Sequence, residues 1–315
     1  MDKATIVYNP AARNAPNAER LRFAAAALLT NGWEIDVVET SAAEHATKLA
    51  REAAAAGASV VFACGGDGTV NEVVNGLVGS EAALGVVRGG MGDVFGKEID
   101  VPRDPNKALR VLIEGTRRRF DLGRANDRYF MMMCGIGFDA AVVRGVPDNA
   151  KRRMGSFSYI IWGLREALRW RPKQTTLSVD HIESELQLHW AILGNTRSYG
   201  GVLNVASQAL VDDGLLDAYI FDGKGPVDLA VAVTRVALRR REGGRLSFRR
   251  LRELEVQTAG LMVQADGEYV GETPMRFEAV AGALDVMLPP GGGERLFSSP
   301  ESRVQGQASD MAISH

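Results

Sequence analysis

Residues 63–77 read ACGGDGTVNEVVNGL, placing three glycines and an aspartate between an apolar run and a segment with helical apolar spacing. Glycine is the costliest residue to order, so such a cluster needs a reason. Gly65, Gly66 and Gly68 leave backbone N–H groups able to approach an anion, and the N-terminus of a following helix adds partial positive charge. Thr69 can cap that helix or touch a phosphate. Asp67 is the odd member, because a carboxylate beside phosphates repels them unless a cation intervenes. That combination points to Mg²⁺ or to proton transfer. The residues alone leave a second reading open: a tight strand-to-helix turn with Thr69 as N-cap.

Two other segments mimic phosphate motifs and fail on inspection. GGMGDVFGKE matches a P-loop only in Gly96-Lys97; Met91 stands where the first glycine is needed and no Ser or Thr follows the lysine. GIGFDA at 135–140 fits G-x-G-x-x-A, but no acidic residue follows about 20 positions on. VDDG and ADGE further along read by themselves as turns, the second with the Asp-Gly signal of a hairpin.

The elements that must position these residues follow from apolar periodicity. ATIVYNP, WEIDVVET, SVVFACGG and ALGVVRGG read as strands, alternating with helical segments at 17–31, 42–56 and after GGDGT. Val70, Val73, Val74 and Leu77 give the last of these one apolar face. Strand–helix alternation implies an open parallel α/β sheet of Rossmann-like type, whose ligands bind beyond the carboxyl ends of the strands. The glycine turn sits at such an end.

After about residue 120 the texture changes to short strands: RYFMMMCGIGFDAAVV, TTLSVD, LQLHWAILGN, LDAYIFDG, LEVQTAG, LMVQADGEYV, MRFEAV and ALDVMLP. This predicts a β-sandwich or barrel interrupted by helices near 155–170 and 226–241. The expected organisation is an α/β domain over 1–122, a β-rich domain over 123–290 and a tail over 291–315, disordered after about 297.

The chain of 315 residues has 46% hydrophobic and 24% charged residues, an ordinary globular composition with room for two cores. Its net charge of −2 identifies no partner. Two cysteines, Cys64 and Cys134, lie in apolar runs without metal-ligand spacing, which fits a reducing cytoplasm. The opening MDKATIVYNP has no long apolar h-region, and no run reaches ~18 apolar residues, so neither a signal peptide nor a transmembrane helix is expected.

GGDGTVNEVVNGL resembles the signature of the diacylglycerol kinase catalytic-domain family, which includes bacterial lipid kinases and sphingosine kinases. The likeness continues through YNPAAR, FDLGRAN, CGIGFDAAV, GNTRSYGGVLNVASQALVDDGLLD and VQADGE in the family's order, over nearly all of residues 5–290. It implies an N-terminal α/β domain, a C-terminal β-sandwich and an active site in the cleft between them. It also implies an ATP- and Mg²⁺-dependent kinase for a hydroxyl of diacylglycerol or a related amphiphile. By the same resemblance the ATP phosphates lie on Gly65, Gly66, Asp67, Gly68, Thr69, Val70 and Asn71, with Asn9, Arg13, Thr40, Gly89 and Gly90 nearby. Glu268 becomes the base that takes the lipid hydroxyl's proton. Asp67, Asp93 and Asp121 become an acidic network around Mg²⁺. A second, structural Mg²⁺ would sit on the Asp213 carboxylate and the carbonyls of Leu210 and Leu215.

The resemblance departs at one place. The family's G-T-x-N-D-F segment is GGMGDV at 89–94, with Gly90 in place of threonine and Gly92 in place of asparagine. Losing a hydroxyl contact weakens nucleotide binding by ~1 kcal/mol or more. Retained catalysis is the main expectation, since all four acids remain. A catalytically weak nucleotide-binding membrane adaptor and a soluble NAD or sugar-phosphate kinase stay open.

Two basic segments, 151–173 with Trp162, Leu164, Leu168 and Trp170, and 235–252, suit adsorption to anionic headgroups, though basic helices are commonly solvated faces. No nucleic-acid motif accompanies them. The expected location is cytoplasmic with peripheral contact at the inner face of the membrane. Oligomeric state stays open, with a homodimer common in the family.

Overall fold

A computed structural model of the chain describes residues 1–147, 162–163, 170–198, 206, 208–223, 225–237, 243 and 245–298. The helix expected near 155–170, most of the basic segment 151–173, residues 238–242 and the chain after 298 lie outside the described residues.

The first part alternates as its periodicity demands: β1 Asp2–Tyr8, α1 Ala18–Ala26, β2 Trp33–Glu39, α2 His45–Ala55, β3 Val60–Gly65, α3 Asp67–Leu77 and β4 Ala83–Arg88. A short α4, Val94–Glu98, and α5, Pro105–Ile113, complete it. The strands pair in parallel in the order β2-β1-β3-β4. β3 is buried along its whole length, as a central parallel strand with helices on both faces should be, whereas edge strand β2 is half-exposed. Asn17 and Asp104 cap α1 and α5 by accepting the N–H groups of Arg20 and Lys107. α2 packs on α3 and α1 on α5. The β1-α1-β2 crossover runs opposite to β2-α2-β3 and β3-α3-β4, so right-handedness puts α1 and α2–α3 on opposite faces of the sheet.

The second part begins with β5 Thr116–Ala125, β6 Arg128–Phe130, β7 Met133–Gly137 and α6 Phe138–Gly145. It continues through β8 Lys173–Val179, β9 Ile182–Leu188, β10 Trp190–Gly194, β11 Leu216–Phe221 and α7 Pro226–Ala237. Strands β12 Leu246–Leu251, β13 Glu253–Val256, β14 Met262–Ala265, β15 Glu268–Glu272 and β16 Met275–Leu288 finish it. One sheet runs β12-β11-β10-β7-β14-β15 and is antiparallel throughout. It faces the β5, β6, β8, β13 and β16 strands across a second apolar core that includes Phe130, Ile136, Leu193, Leu254 and Phe277.

The return strand β16 joins the two parts. Residues Phe277–Val280 pair with β5 in the sandwich, and Leu284–Leu288 pair with the start of β5. Beside that second stretch, Val286 meets Leu84 of β4 in parallel. The four parallel strands thereby extend into a sheet of ten. Leu284, Val286, Leu288 and Leu296 lie in the first core, so the stretch from β16 to Leu296 packs back onto the α/β layer.

MRFEAV and ALDVMLP, read separately in the sequence, form this one strand; the register shift between Val280 and Leu284 hides the continuity of its alternation. The end of RYFMMMCGIGFDAAVV is helical, because Gly137 at φ 82° turns the chain out of β7 into α6. The boundary drawn at 122/123 falls inside β5.

Candidate active site

The parallel register sets the rim. Tyr8 pairs with Glu39 and with Cys64, and Gly65 with Arg88, so the loops following β1, β2, β3 and β4 leave the sheet together. Asn9, Thr40, Gly65–Gly66 and Gly89–Gly90 therefore share one edge. Backbone bonds fasten it: Asn9 N donates to Cys64 O (2.9 Å), Thr40 N to Tyr8 O (2.8 Å) and Gly89 N to Gly65 O (2.9 Å). Arg13 reaches across to Met91 Sδ at 3.0 Å.

α3 opens on this edge with Gly66 at its N-cap and no side-chain cap. The N–H groups of Asp67, Gly68 and Thr69 then have no acceptor within the helix, which is the geometry that receives an anion. Thr69 does not cap. It lies within the first turn, and its hydroxyl accepts Asn9 Nδ2 at 3.0 Å. Val70 donates its N–H to Gly66 O and buries its side chain, so its N–H is committed to the helix.

The second glycine loop packs directly against the first. A Cβ on Gly90 would stand 2.6 Å from Gly66 Cα and 2.9 Å from Asp93 Oδ1. Asp93 occupies the left-handed region at φ 45°, unusual for a residue with a side chain, and its Oδ1 accepts the Gly90 N–H at 2.7 Å. Asp67 Oδ1 accepts Val94 N at 2.8 Å and Phe95 N at 3.4 Å, tying the first loop to α4. Burial pushes the Asp67 carboxyl up to about 6; Asp93 adds to this, and the N–H groups of Phe95 and Val94 oppose it. A carboxylate disfavoured by burial and by a second carboxylate is what a divalent cation relieves. Among the described residues no cluster of three or more ligating side chains surrounds it. The pair therefore fits a cation that takes its remaining ligands from phosphate and water, the habit of Mg²⁺.

Glu268 arrives from the other side of the chain. The hairpin joining β14 to β15 pairs Ala265 with Glu268 and has Asp266 (φ 49°) and Gly267 (φ 88°) as its two loop residues. Both are positive, as in the type I′ turn that Asp-Gly favours. This turn sets Glu268 against the glycine loop: a Cβ on Gly68 would lie 2.6 Å from Glu268 Oε1. Arg128 Nη2 is 3.6 Å from the other oxygen, and its Nη1 reaches Glu44 at 3.3 Å. Burial raises the Glu268 pKa, Arg128 opposes it, and Glu72, Glu44 and Asp266 reinforce it.

Asp266 was not singled out by the sequence, which offered only a hairpin turn there. Its buried carboxylate accepts the N–H groups of Met131 (2.8 Å), Met132 (2.9 Å) and Met133 (2.9 Å) and the Asn71 Nδ2 (2.8 Å). Asn71 also donates to Tyr129 O at 3.0 Å. The Asn71 side chain is thus a strut between α3 and the sandwich, buried 1% exposed, instead of a group facing the glycine turn. Together these bonds fix the hairpin that carries Glu268.

Asp121 makes its own hydrogen bonds with other partners. Its oxygens accept Gly282 N and Gly214 N, each at 2.6 Å. Burial raises its pKa against those two donors, and the nearby Asp212 raises it further. These bonds tie Asp121 to Gly214 and Gly282, whereas Asp67 and Asp93 bond to the second glycine loop and α4. Next to Gly214, Asp213 Oδ1 accepts Leu215 N at 3.0 Å, and its Oδ2 is ion-paired with Arg250. Burial pushes Asp213 up to about 6 despite Arg250. A cation on Asp213 with the carbonyls of Leu210 and Leu215 would share that carboxylate with Arg250.

Comparison with known proteins identifies the two parts of the chain. A family profile described as "Diacylglycerol kinase catalytic domain" matches residues 3–125, and one described as "YegS C-terminal NAD kinase beta sandwich-like domain" matches 133–288. The "Diacylglycerol kinase" of Bacillus subtilis (strain 168) is 29% identical over 304 residues, 94% of this chain and 99% of its own. A "Probable lipid kinase YegS-like" of Pseudomonas aeruginosa is 34% identical over 296 residues, 92% of this chain and 96% of its own. A crystal structure of a diacylglycerol kinase from Bacillus anthracis str. Sterne superposes with TM-score 0.68 at 18% identity, covering 92% of this chain and 97% of that one, a likeness of fold. Among the described residues no helix is long and apolar enough to cross a membrane.

Proposed function

The chain belongs to the diacylglycerol kinase catalytic-domain family of lipid kinases, and from there we propose that it transfers the γ-phosphoryl group of ATP to a hydroxyl of diacylglycerol or a related amphiphilic lipid. The observation that carries the reading is Glu268, held against Gly68 across 200 positions of sequence by the Asp266 turn. A carboxylate there can take a proton from a hydroxyl aligned with phosphates on the α3 N-terminus.

The roles divide by position. The N–H groups of Asp67, Gly68 and Thr69 receive phosphate oxygens, with Asn9 positioning Thr69 and with Arg13, Thr40, Gly89 and Gly90 on the same rim. Asp67 and Asp93 would hold Mg²⁺, which supplies neutralisation of phosphate charge when bound. Glu268 accepts the acceptor's proton as the new O–P bond forms and the bond from the γ-phosphorus to the β,γ-bridging oxygen breaks, with ADP leaving. Arg128 keeps Glu268 ionised more than burial alone would allow. A lipid acceptor requires contact with a membrane surface, to which the basic segment 235–252 would contribute positive charge.

The test is transfer of labelled phosphate from ATP into a panel of lipids in mixed micelles, with and without Mg²⁺. Labelling of a diradylglycerol that requires Mg²⁺ is expected. Folded protein that labels no lipid across the panel would refute the proposal.

A further inference from the structure

On the α1–α5 side of the parallel sheet, away from α2 and α3, lies a cavity of about 430 Å³ lined by Asn14, Pro16, Arg20, Arg88, Arg103 and Asp104 among others. That volume lies within the ~300–1,000 Å³ that small ligands occupy. Three arginines line it with a single carboxylate, Asp104, which is ion-paired with Arg20, while Arg88 faces Asp93 behind the lining. Arg103 is exposed, and among the described residues it makes no ion pair. Arg88 donates Nη1 to Val101 O at 3.2 Å; its buried Nε has no hydrogen-bond partner and stands 3.6 Å from Asp93 Oδ2. With Arg20 and Arg88 each facing a carboxylate, Arg103 leaves the cavity one positive charge in excess, which suits an oxyanion with several equivalent oxygens.

We infer that this cavity is a second anion site, separate from the glycine turn, which binds a small phosphomonoester. The ligand carries its phosphate on Arg20, Arg88 and Arg103 and its polar body toward Asn14 and Pro16. Such a group comes either from a free polyol phosphate or from a phospholipid headgroup, and the chemistry of the cavity is the same for both.

The site is wired to the glycine loops through its own lining. Asn14 N donates to Gly89 O at 2.9 Å and Asn14 Nδ2 to Gly90 O at 2.7 Å. Arg88 immediately precedes Gly89 and faces Asp93, whose carboxylate holds the Gly90 N–H. An anion drawing Arg88 toward the cavity weakens its hold on Asp93 and so reaches the loop that packs on Gly66. The consequence for turnover rests on the lipid-kinase reading; the binding site does not.

The experiment titrates glycerol 3-phosphate, and separately vesicles of phosphatidate in phosphatidylcholine, into the full chain saturated with a non-hydrolysable ATP analogue. Wild type is compared with Arg103→Gln and Arg103→Lys, with melting temperatures measured in parallel. Saturable binding of at least one probe is expected, weakened about tenfold or more by Arg103→Gln and less by Arg103→Lys. Response to glycerol 3-phosphate assigns a free phosphomonoester; response to vesicles alone assigns a headgroup. Binding of neither probe, or binding indifferent to Arg103→Gln, would overturn the inference. So would a phosphomonoester that binds only when the ATP analogue is withheld, since it would then occupy the glycine turn.

Discussion

Gly90→Thr restores the family's usual residue, yet this chain is expected to tolerate it badly. The reason is the contact between the two glycine loops. A Cβ at position 90 would sit 2.6 Å from Gly66 Cα, whereas carbon atoms rest at about 3.5–4.0 Å. Relief requires the loops to separate by about 1 Å, and both sides of the clash are backbone. Overpacking of this kind costs about 1–3 kcal/mol. The same Cβ would stand 2.9 Å from Asp93 Oδ1, the atom that accepts the Gly90 N–H and holds Asp93 at φ 45°. Disturbing that bond adds about 1 kcal/mol. The expected loss is therefore about 2–4 kcal/mol, read as a lower urea midpoint at unchanged slope. Calorimetric titration should give weaker nucleotide binding as well, because the separation opens the cradle. Gly90→Ala isolates the Cβ from the hydroxyl and should retain most of the loss. If Gly90→Thr is as stable as wild type and binds nucleotide more tightly, the loops are not packed as described, and Gly90 is simply a lost contact.

Three further outcomes follow from the same geometry. Arg128→Gln removes the cation that favours ionised Glu268, so the Glu268 pKa rises and the acid limb of the kcat/KM profile moves to higher pH; an unmoved limb would separate that limb from Glu268. Asp266→Asn retains one acceptor oxygen where two now serve three backbone N–H groups and Asn71. A stability loss of about 2–4 kcal/mol in urea denaturation is expected. Asp139, buried and accepting Gln264 Nε2 at 2.8 Å, has its carboxyl pushed by burial up to about 6. Its folded-state pKa lies above the unfolded value, so the folded protein gains protons, and stability, as pH falls through about 6. That group contributes about 1 kcal/mol more stability at pH 5 than at pH 8, and Asp139→Asn should remove this increment from the difference between the two pH values.

The parallel sheet and the glycine turn were legible because both are local signals, apolar runs punctuated by glycine and helical spacing after it. The Asp-Gly hairpin was legible for the same reason, although its purpose was not. Asp266 gains its role only from donors more than 130 positions away, which no periodicity encodes. The partners of Asp121, Gly214 and Gly282, were likewise hidden. The second depends on β16 returning beside β5 so that Gly282 meets Asp121. Asn71 looked like part of the glycine motif by adjacency, but α3 turns its side chain toward Tyr129 and Asp266. The substitution at Gly90 read as a lost hydroxyl because the facing Gly66 was invisible in one dimension.

The central claim is that Glu268 is the base of a phosphoryl transfer to a lipid hydroxyl. The direct measurement is single-turnover transfer of labelled phosphate from ATP to diacylglycerol by wild type and Glu268→Gln, with nucleotide affinity measured on both. Glu268→Gln is expected to slow transfer by about 10²–10⁴-fold at nearly unchanged nucleotide affinity. Transfer within a few-fold of wild type would contradict it.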